Sequence, residues 1–286
     1  MFLLICQRVT KFTPKLLLGL ALGSGLGLGL GLGAQFAHAT NPTPPRVVSL
    51  TPHVTELIFA AGAGHTIVAT VNASDYPQAA LGIDRIGDGL NTSAEQVLAR
   101  QPDWVMGWPS ALMTQLQALG VETVVLEPMS MVQIAQQVRT LGRLLGTESV
   151  ADAKSQEIIA DIAAITAIAA EMTDQSAPRL PVIVLASPDG QYVLGRQALT
   201  NDALTLCGAR NIFAEALSVA PSVSLEGLIA ANPALVISGY EPAAWLVDRF
   251  TVAVIDPNWL YRPGPRFVQA MRQICTAVRQ ARQSRQ

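Results

Sequence analysis

The sequence predicts an α/β fold: two Rossmann-like lobes joined by a single long α-helix, with a cleft between the lobes. Three observations predict it. Short apolar, β-branched runs alternate with segments of helical periodicity, the pattern of parallel sheets covered by helices. One helical stretch in mid-chain, 149–173, contains no Gly or Pro and is longer than an ordinary crossover. A pattern at 93–107 (SAEQVLARQPDWVMG) recurs at 224–238 (SLEGLIAANPALVIS), once on each side of that helix.

The elements follow in order. The run at 47–50 (VVSL) has the length and branching of a buried strand. Thr51-Pro52 ends it and starts a helix. Thr51 is expected to cap the free backbone donors, and Pro52 fits the first helical position, where its missing N–H costs nothing. Val54, Leu57, Ile58 and Ala61 line one apolar face, and Gly62 and Gly64 supply the stop. Strands are expected at 66–71, 103–106 and 122–126, and helices at 93–100, 111–119 and 131–145. After the long helix, polar residues and two prolines at 174–181 lead into a second strand-led unit. Its strands are expected at 182–185, 235–238 and 251–255, and its helices at 203–206, 224–231 and 267–282. The expected lobes are therefore 46–146 and 179–286, joined by a linking helix at 147–178. In open α/β sheets ligands sit beyond the carboxyl ends of the strands, so the TPHVTE turn at 51–56 is a candidate cleft rim.

The first residues belong to neither lobe. Arg8, Lys11 and Lys15 give a basic start, a Leu/Gly/Ala run follows, and Ala37-His38-Ala39 has the A-x-A cleavage form. Residues 1–39 read as a secretory signal peptide and 40–45 as an extended tether. A retained membrane anchor is the other reading of an apolar run of that length. No cysteine follows the run, which argues against a lipid anchor there.

Removing the leader takes away Cys6 and leaves Cys207 and Cys275. In an exported protein that even pair reads as one disulfide; two separate buried thiols are the alternative. Of 19 basic and 21 acidic residues the leader removes three basic and no acidic ones, leaving a net charge of −5. That mildly acidic surface argues against nucleic acid or anionic lipid as a partner. Outside the leader only His53 and His65 remain, too few for a zinc or manganese site, so no metal is expected. His53 reads as an exposed rim residue. No nucleophile elbow, P-loop or dinucleotide fingerprint is present, and the G-x-G repeats at 23–33 lie in the leader. Asp75, Asp88 and Asp256 lie in loops at strand ends but form no motif, so the chain is not expected to be an enzyme.

The segments RVVSLTPHVTELIFAAGA, SDYP, GDGLNTSAEQVLARQPDWVMGW, LCGARNIF and SLEGLIAANPALVISG, with the single long helix, resemble the helical-backbone (class III) periplasmic binding proteins of ABC importers. The resemblance runs from Arg46 to about Val278. Within that group the pattern is most similar to the vitamin B12 binders. It implies a periplasmic protein without a cofactor, carrying cobalamin or a related corrinoid as transported ligand to an ABC permease. Relatives that carry ferric siderophores or haem make those ligands the alternative, and haem would need an axial Tyr or His such as Tyr76, Tyr192 or His53.

The resemblance also implies site residues. Glu95 and Glu226, the acids shared by the repeated pattern, fall where the family docks on permease arginines; two carboxylates, one per lobe, suit arginine forks. Their other reading is a helix first-turn acid favoured by the helix dipole. The family's disulfide falls on Cys207 and Cys275. Trp108, Tyr192 and Trp259 fall on aromatic ligand contacts, which suit a broad, partly apolar disc. Tyr240, Trp245 and Tyr261 also lie near strand ends, while Asp75-Tyr76-Pro77 reads as a turn. Three further aromatics of the B12 binders are replaced by Ala73, Gly89 and about Ala220, and the loop after Trp108 is shorter.

Overall fold

A computed structural model describes residues 43–89, 91–171 and 178–285. The expected leader, much of the tether and the end of the linking helix at 172–173 lie outside the described residues.

In the N-terminal half, β1 (Val47–Ser49) leads into α1 (Pro52–Ala60), followed by β2 (Ile67–Thr70), α2 (Ala94–Leu98) and β3 (Trp104–Gly107). Then come α3 (Ala111–Ala118), β4 (Glu122–Val125) and α4 (Met131–Leu145). The long helix α5 spans Glu148–Glu171. The C-terminal half continues with β5 (Leu180–Val184), α6 (Ala198–Leu206), β6 (Ala209–Asn211), α7 (Leu225–Ala231) and β7 (Leu235–Ser238). It ends with α8 (Ala244–Val247), β8 (Val252–Val254), α9 (Pro257–Leu260) and α10 (Phe267–Gln283). The two sheets repeat one topology, β2-β1-β3-β4 and β6-β5-β7-β8, parallel throughout.

The repeated pattern becomes two equivalent capped helices. Ser93 Oγ accepts from Gln96 N at 3.3 Å, and Ser224 Oγ accepts from Gly227 N at 3.1 Å. This sets Glu95 and Glu226 in the first turns of α2 and α7. Thr51 does not behave as expected. It occupies the cap position of α1, but its hydroxyl makes no capping bond and is left buried without a partner. Pro52 still supplies the start through its fixed φ.

Among the described strands and α-helices, three went unseen: β6, α8 and α9. Each has three or four residues, too short to show a period. The helix expected at 203–206 begins earlier, at Ala198. Strand β5 starts before Pro181, whose carbonyl still accepts from Ala234 N at 2.9 Å.

One apolar core runs through both halves. It joins Leu57 of α1, Ile134 of α4, Ile158 of α5, Leu199 of α6 and Met271 of α10. A smaller cluster covers the other face of each sheet, around Val105 and around Val236. Helix α4 lies tight on α5: a Cβ built on Gly142 would come within 2.2 Å of Ala151 Cβ, so only glycine permits that approach. A shared core of this kind opposes wide separation of the lobes, because opening would expose apolar surface.

Cys207 and Cys275 form a disulfide that ties the end of α6 to α10.

Candidate functional site

The strand ends build the cleft. Trp108 follows β3 directly and is 41% exposed. Its indole stands against the His53 ring, centroids 4.7 Å apart and planes tilted by 36°. His53 is not the exposed rim residue expected from the sequence. It lies in the first turn of α1, 1% exposed, because α1 packs its N-terminal end under the β3 and β4 loops. Its Nε2 donates to the Leu126 carbonyl at 3.0 Å, and burial pushes its pKa down to about 4. The ring is therefore neutral near pH 7.

Trp108 walls a cavity of about 400 Å³ between the lobes, with Glu127 and Met129 after β4 and Arg196, Leu199 and Pro263 from the C-terminal half. Trp259, on α9 and half-buried, lines a different cavity of about 870 Å³ with Tyr76, Phe59, Arg266 and, from α5, Lys154 and Glu157. Tyr192 is 47% exposed and lines neither; its backbone N–H donates to Ser187 Oγ. The structure thus does not bring Trp108, Tyr192 and Trp259 into one cavity. The segment 262–266 runs between the two hollows: Pro263 faces one, Pro265 and Arg266 the other.

That segment carries a charge cluster linking the lobes. Arg266 forms two hydrogen bonds to Glu56 of α1, at 2.6 and 3.0 Å. Arg262 Nη1 lies 2.5 Å from Asp75 Oδ1 and 3.7 Å from Glu56. The two pairs differ in surroundings. The Glu56 side chain is 2% exposed, whereas that of Asp75 is 50% exposed. Burial pushes the Glu56 carboxyl up, opposed by Arg266 and Arg262; the Arg262 hydrogen bond holds the Asp75 carboxyl down. Arg266 also stacks over the Tyr76 ring, 4.1 Å from its centroid. The segment 74–77 is held at Ser74 by buried hydroxyls: Thr70 donates to Ser74 at 2.8 Å, and Thr55 pairs with Thr70 at 2.8 Å. Asp75-Tyr76-Pro77, read as a turn, is irregular backbone that follows a turn at 72–73, and it makes a contact across the cleft through Asp75 and Arg262.

Sequence reasoning missed Glu56, Arg262 and Arg266. An acid beside the apolar face of α1 was the only signal, and its partner lies 210 positions away. Tyr261 is structural: its hydroxyl accepts from Gly239 N and donates to the Leu185 carbonyl, and burial pushes its pKa up to about 12. It stacks on Tyr240 at 5.5 Å, while Trp245 lines a separate hollow with Asp189 and Leu225. Gly89, at φ +88°, would bring a Cβ within 2.9 Å of the Leu50 carbonyl, so this backbone admits no aromatic there.

Glu95 and Glu226 are both fully exposed. The Ser93 hydroxyl holds the Glu95 carboxyl below the usual range; for Glu226 its own backbone N–H does so first, then Ser224. Among the described residues no group of three or more His, Cys, Asp or Glu side chains is placed to hold a metal ion. No described helix is long and apolar enough to cross a membrane.

Two parallel α/β lobes sharing one helical backbone, with cavities at the strand ends between them, define a two-lobe substrate-binding protein. The profile of the family described as periplasmic binding protein matches residues 47–241, and the chain belongs to that family, whose members are substrate-binding proteins and not enzymes. It is 29% identical over 254 residues to the vitamin B12-binding protein of Photorhabdus laumondii, covering 85% of this chain and 90% of that one. The crystal structure of the periplasmic vitamin B12 binding protein BtuF of Vibrio cholerae is similar at TM-score 0.74 and 25% identity, covering 84% of this chain and 98% of that one. The periplasmic heme-binding protein RhuT from Roseiflexus sp. RS-1 is similar at TM-score 0.68 and 25% identity, covering 84% and 99%.

Proposed function

We propose that this protein captures a corrinoid, cobalamin or a close relative, in the cleft between its lobes and delivers it from the periplasm to the permease of an ABC importer. The observation that carries the reading is Trp108, a partly exposed indole lining an inter-lobe cavity and backed by a buried ring. Relatives that cover most of the chain and bear the name vitamin B12-binding protein support it. Trp108 and Trp259 stand on either side of the segment 262–266, and Tyr192 is an exposed ring of the C-terminal lobe. A broad disc reaching both tryptophans displaces the Arg262–Asp75 pair, whose carboxylate is half-exposed, and leaves the Glu56–Arg266 pair, whose carboxylate is buried, intact. Glu95 and Glu226 dock the lobes on permease arginines. The leader at 1–39 exports the chain, and the Cys207–Cys275 disulfide suits an oxidising compartment.

Calorimetric titration of the chain from Thr40 onward with cyanocobalamin tests the reading. Binding at micromolar or tighter supports it; no heat from a folded sample overturns it.

A second reading of the same class is haem. Tyr76 is 46% exposed, lines the larger cavity and lies beneath Arg266, so its hydroxyl is a candidate axial ligand, whereas His53 is committed to Leu126. A Soret band shift on adding haemin, lost in Tyr76→Phe, distinguishes it. A ferric siderophore is the third titrant if both fail.

A further inference from the structure

We propose that His53 is a positioning residue for the ligand wall, holding Trp108 and the loop after β4 in one fixed arrangement. It deepens the reading given above, naming what sets the shape of the cleft.

The argument rests on three contacts that converge at one point. The His53 ring backs the Trp108 indole at a 4.7 Å centroid separation, within the range where tilted and offset aromatic pairs attract. The Nε2 of the same ring donates to the Leu126 carbonyl at 3.0 Å; a carbonyl only accepts, so Nε2 carries the proton. Leu126 N in turn donates to the Gly107 carbonyl at 3.0 Å, immediately before Trp108. One imidazole therefore supports both strand-end loops that wall the smaller cavity: Trp108-Pro109 after β3, and Glu127, Pro128 and Met129 after β4. The ring is rooted in α1, whose buried face belongs to the shared core, so the support is rigid.

Burial makes this a positioning role rather than a contact. At 1% exposure His53 presents no surface to a ligand and no free nitrogen at Nε2 to a metal. Trp108, at 41% exposure, keeps an open face. An indole able to swing between rotamers would pay its ordering entropy when the ligand arrives; one already held does not. A tilted aromatic pair of this kind corresponds to an affinity effect of about 2- to 10-fold.

The experiment is a double-mutant cycle on the chain from Thr40 onward, with cyanocobalamin as probe, using His53→Ala, Trp108→Ala and the double variant. The expected result is that His53→Ala weakens binding about 2- to 10-fold when Trp108 is present and changes it less than about 2-fold when Trp108 is absent. Equal weakening in both backgrounds overturns the proposal. A ligand-free readout accompanies it: the near-ultraviolet circular dichroism that Trp108→Ala removes is the Trp108 signal, and it should shift in His53→Ala. An unchanged signal also overturns the proposal. If His53→Ala does not fold, His53→Gln, which keeps a donor for Leu126 but lacks the ring, replaces it with the same expectations. If cyanocobalamin fails to bind the unaltered protein, the corrinoid reading falls, and the ligand-free signal alone decides the role of His53.

Discussion

Replacing Arg266 with alanine should destabilise the protein far more than its partial exposure suggests. Glu56 would lose both close hydrogen bonds, 2.6 and 3.0 Å, and keep only Arg262 at 3.7 Å. Its side chain is 2% exposed with Arg266 in place, so the guanidinium is its close compensating partner. Breaking a buried pair from one side costs about 3–5 kcal/mol, because the remaining charge loses its close hydrogen-bonding partners. For a domain of this size each kcal/mol lowers Tm by about 2–4 °C, which gives a fall of roughly 6–20 °C. The assay is urea and thermal unfolding followed by far-ultraviolet circular dichroism, with Lys154→Ala as control. The Lys154–Glu157 pair is equally short at 2.7 Å but solvent-exposed, and its loss should cost under about 1 kcal/mol. The double variant Glu56→Leu with Arg266→Met should recover much of the loss, since it removes the orphaned charge as well as the pair. A loss below about 1 kcal/mol for Arg266→Ala would refute the reasoning, placing this pair with ordinary surface contacts.

Three further outcomes are expected. His53 is held down to about 4 against an ordinary 6.5, so the unfolded chain binds the proton first. Stability should therefore fall as pH drops from about 6.5 to about 4, by up to about 3 kcal/mol, and His53→Gln should flatten that part of the urea-midpoint profile. Asp75, held low by Arg262, adds its own loss only below the ordinary carboxylate range. Replacing both Cys207 and Cys275 with alanine should lower unfolding free energy by about 4 kcal/mol, the loop-closure value for a sequence separation of 68; denaturant melts measure it. Glu95→Ala with Glu226→Ala should abolish transport in a reconstituted permease while leaving calorimetric ligand affinity unchanged, and an equal fall in affinity would remove the docking role.

The parts of this fold that were legible in the sequence are those encoded within a few residues. The helices expected at 93–100 and 224–231 form as α2 and α7, each capped by the serine that opens its copy of the repeated pattern. The helix expected at 131–145 forms with those bounds as α4, with Gly146 after it in the left-handed region. The repeated pattern at 93–107 and 224–238 predicts two like lobes, and the sheets share one strand order. Thr51 shows where local logic fails: it sits at the cap position, yet its hydroxyl makes no capping bond.

The sequence by itself determined the class of architecture, the lone linking helix and the paired first-turn acids, because helical and strand periods, caps and repeats act over a turn or a strand. Only the tertiary structure decided how the candidate site is divided. Arg266 reaches Glu56 across 210 positions, Arg262 reaches Asp75 across 187, and His53 meets both Trp108 and Leu126. None of these pairs leaves a periodic trace: the Arg266 and Arg262 pairs depend on how the packed core seats one lobe on the other, and the His53 contacts on how α1 packs beneath the loops after β3 and β4. The seating of the lobes separates Trp108 from Trp259, which look alike in the sequence, while packing within the N-terminal half turns a histidine that reads as exposed into a buried ring behind the cleft wall.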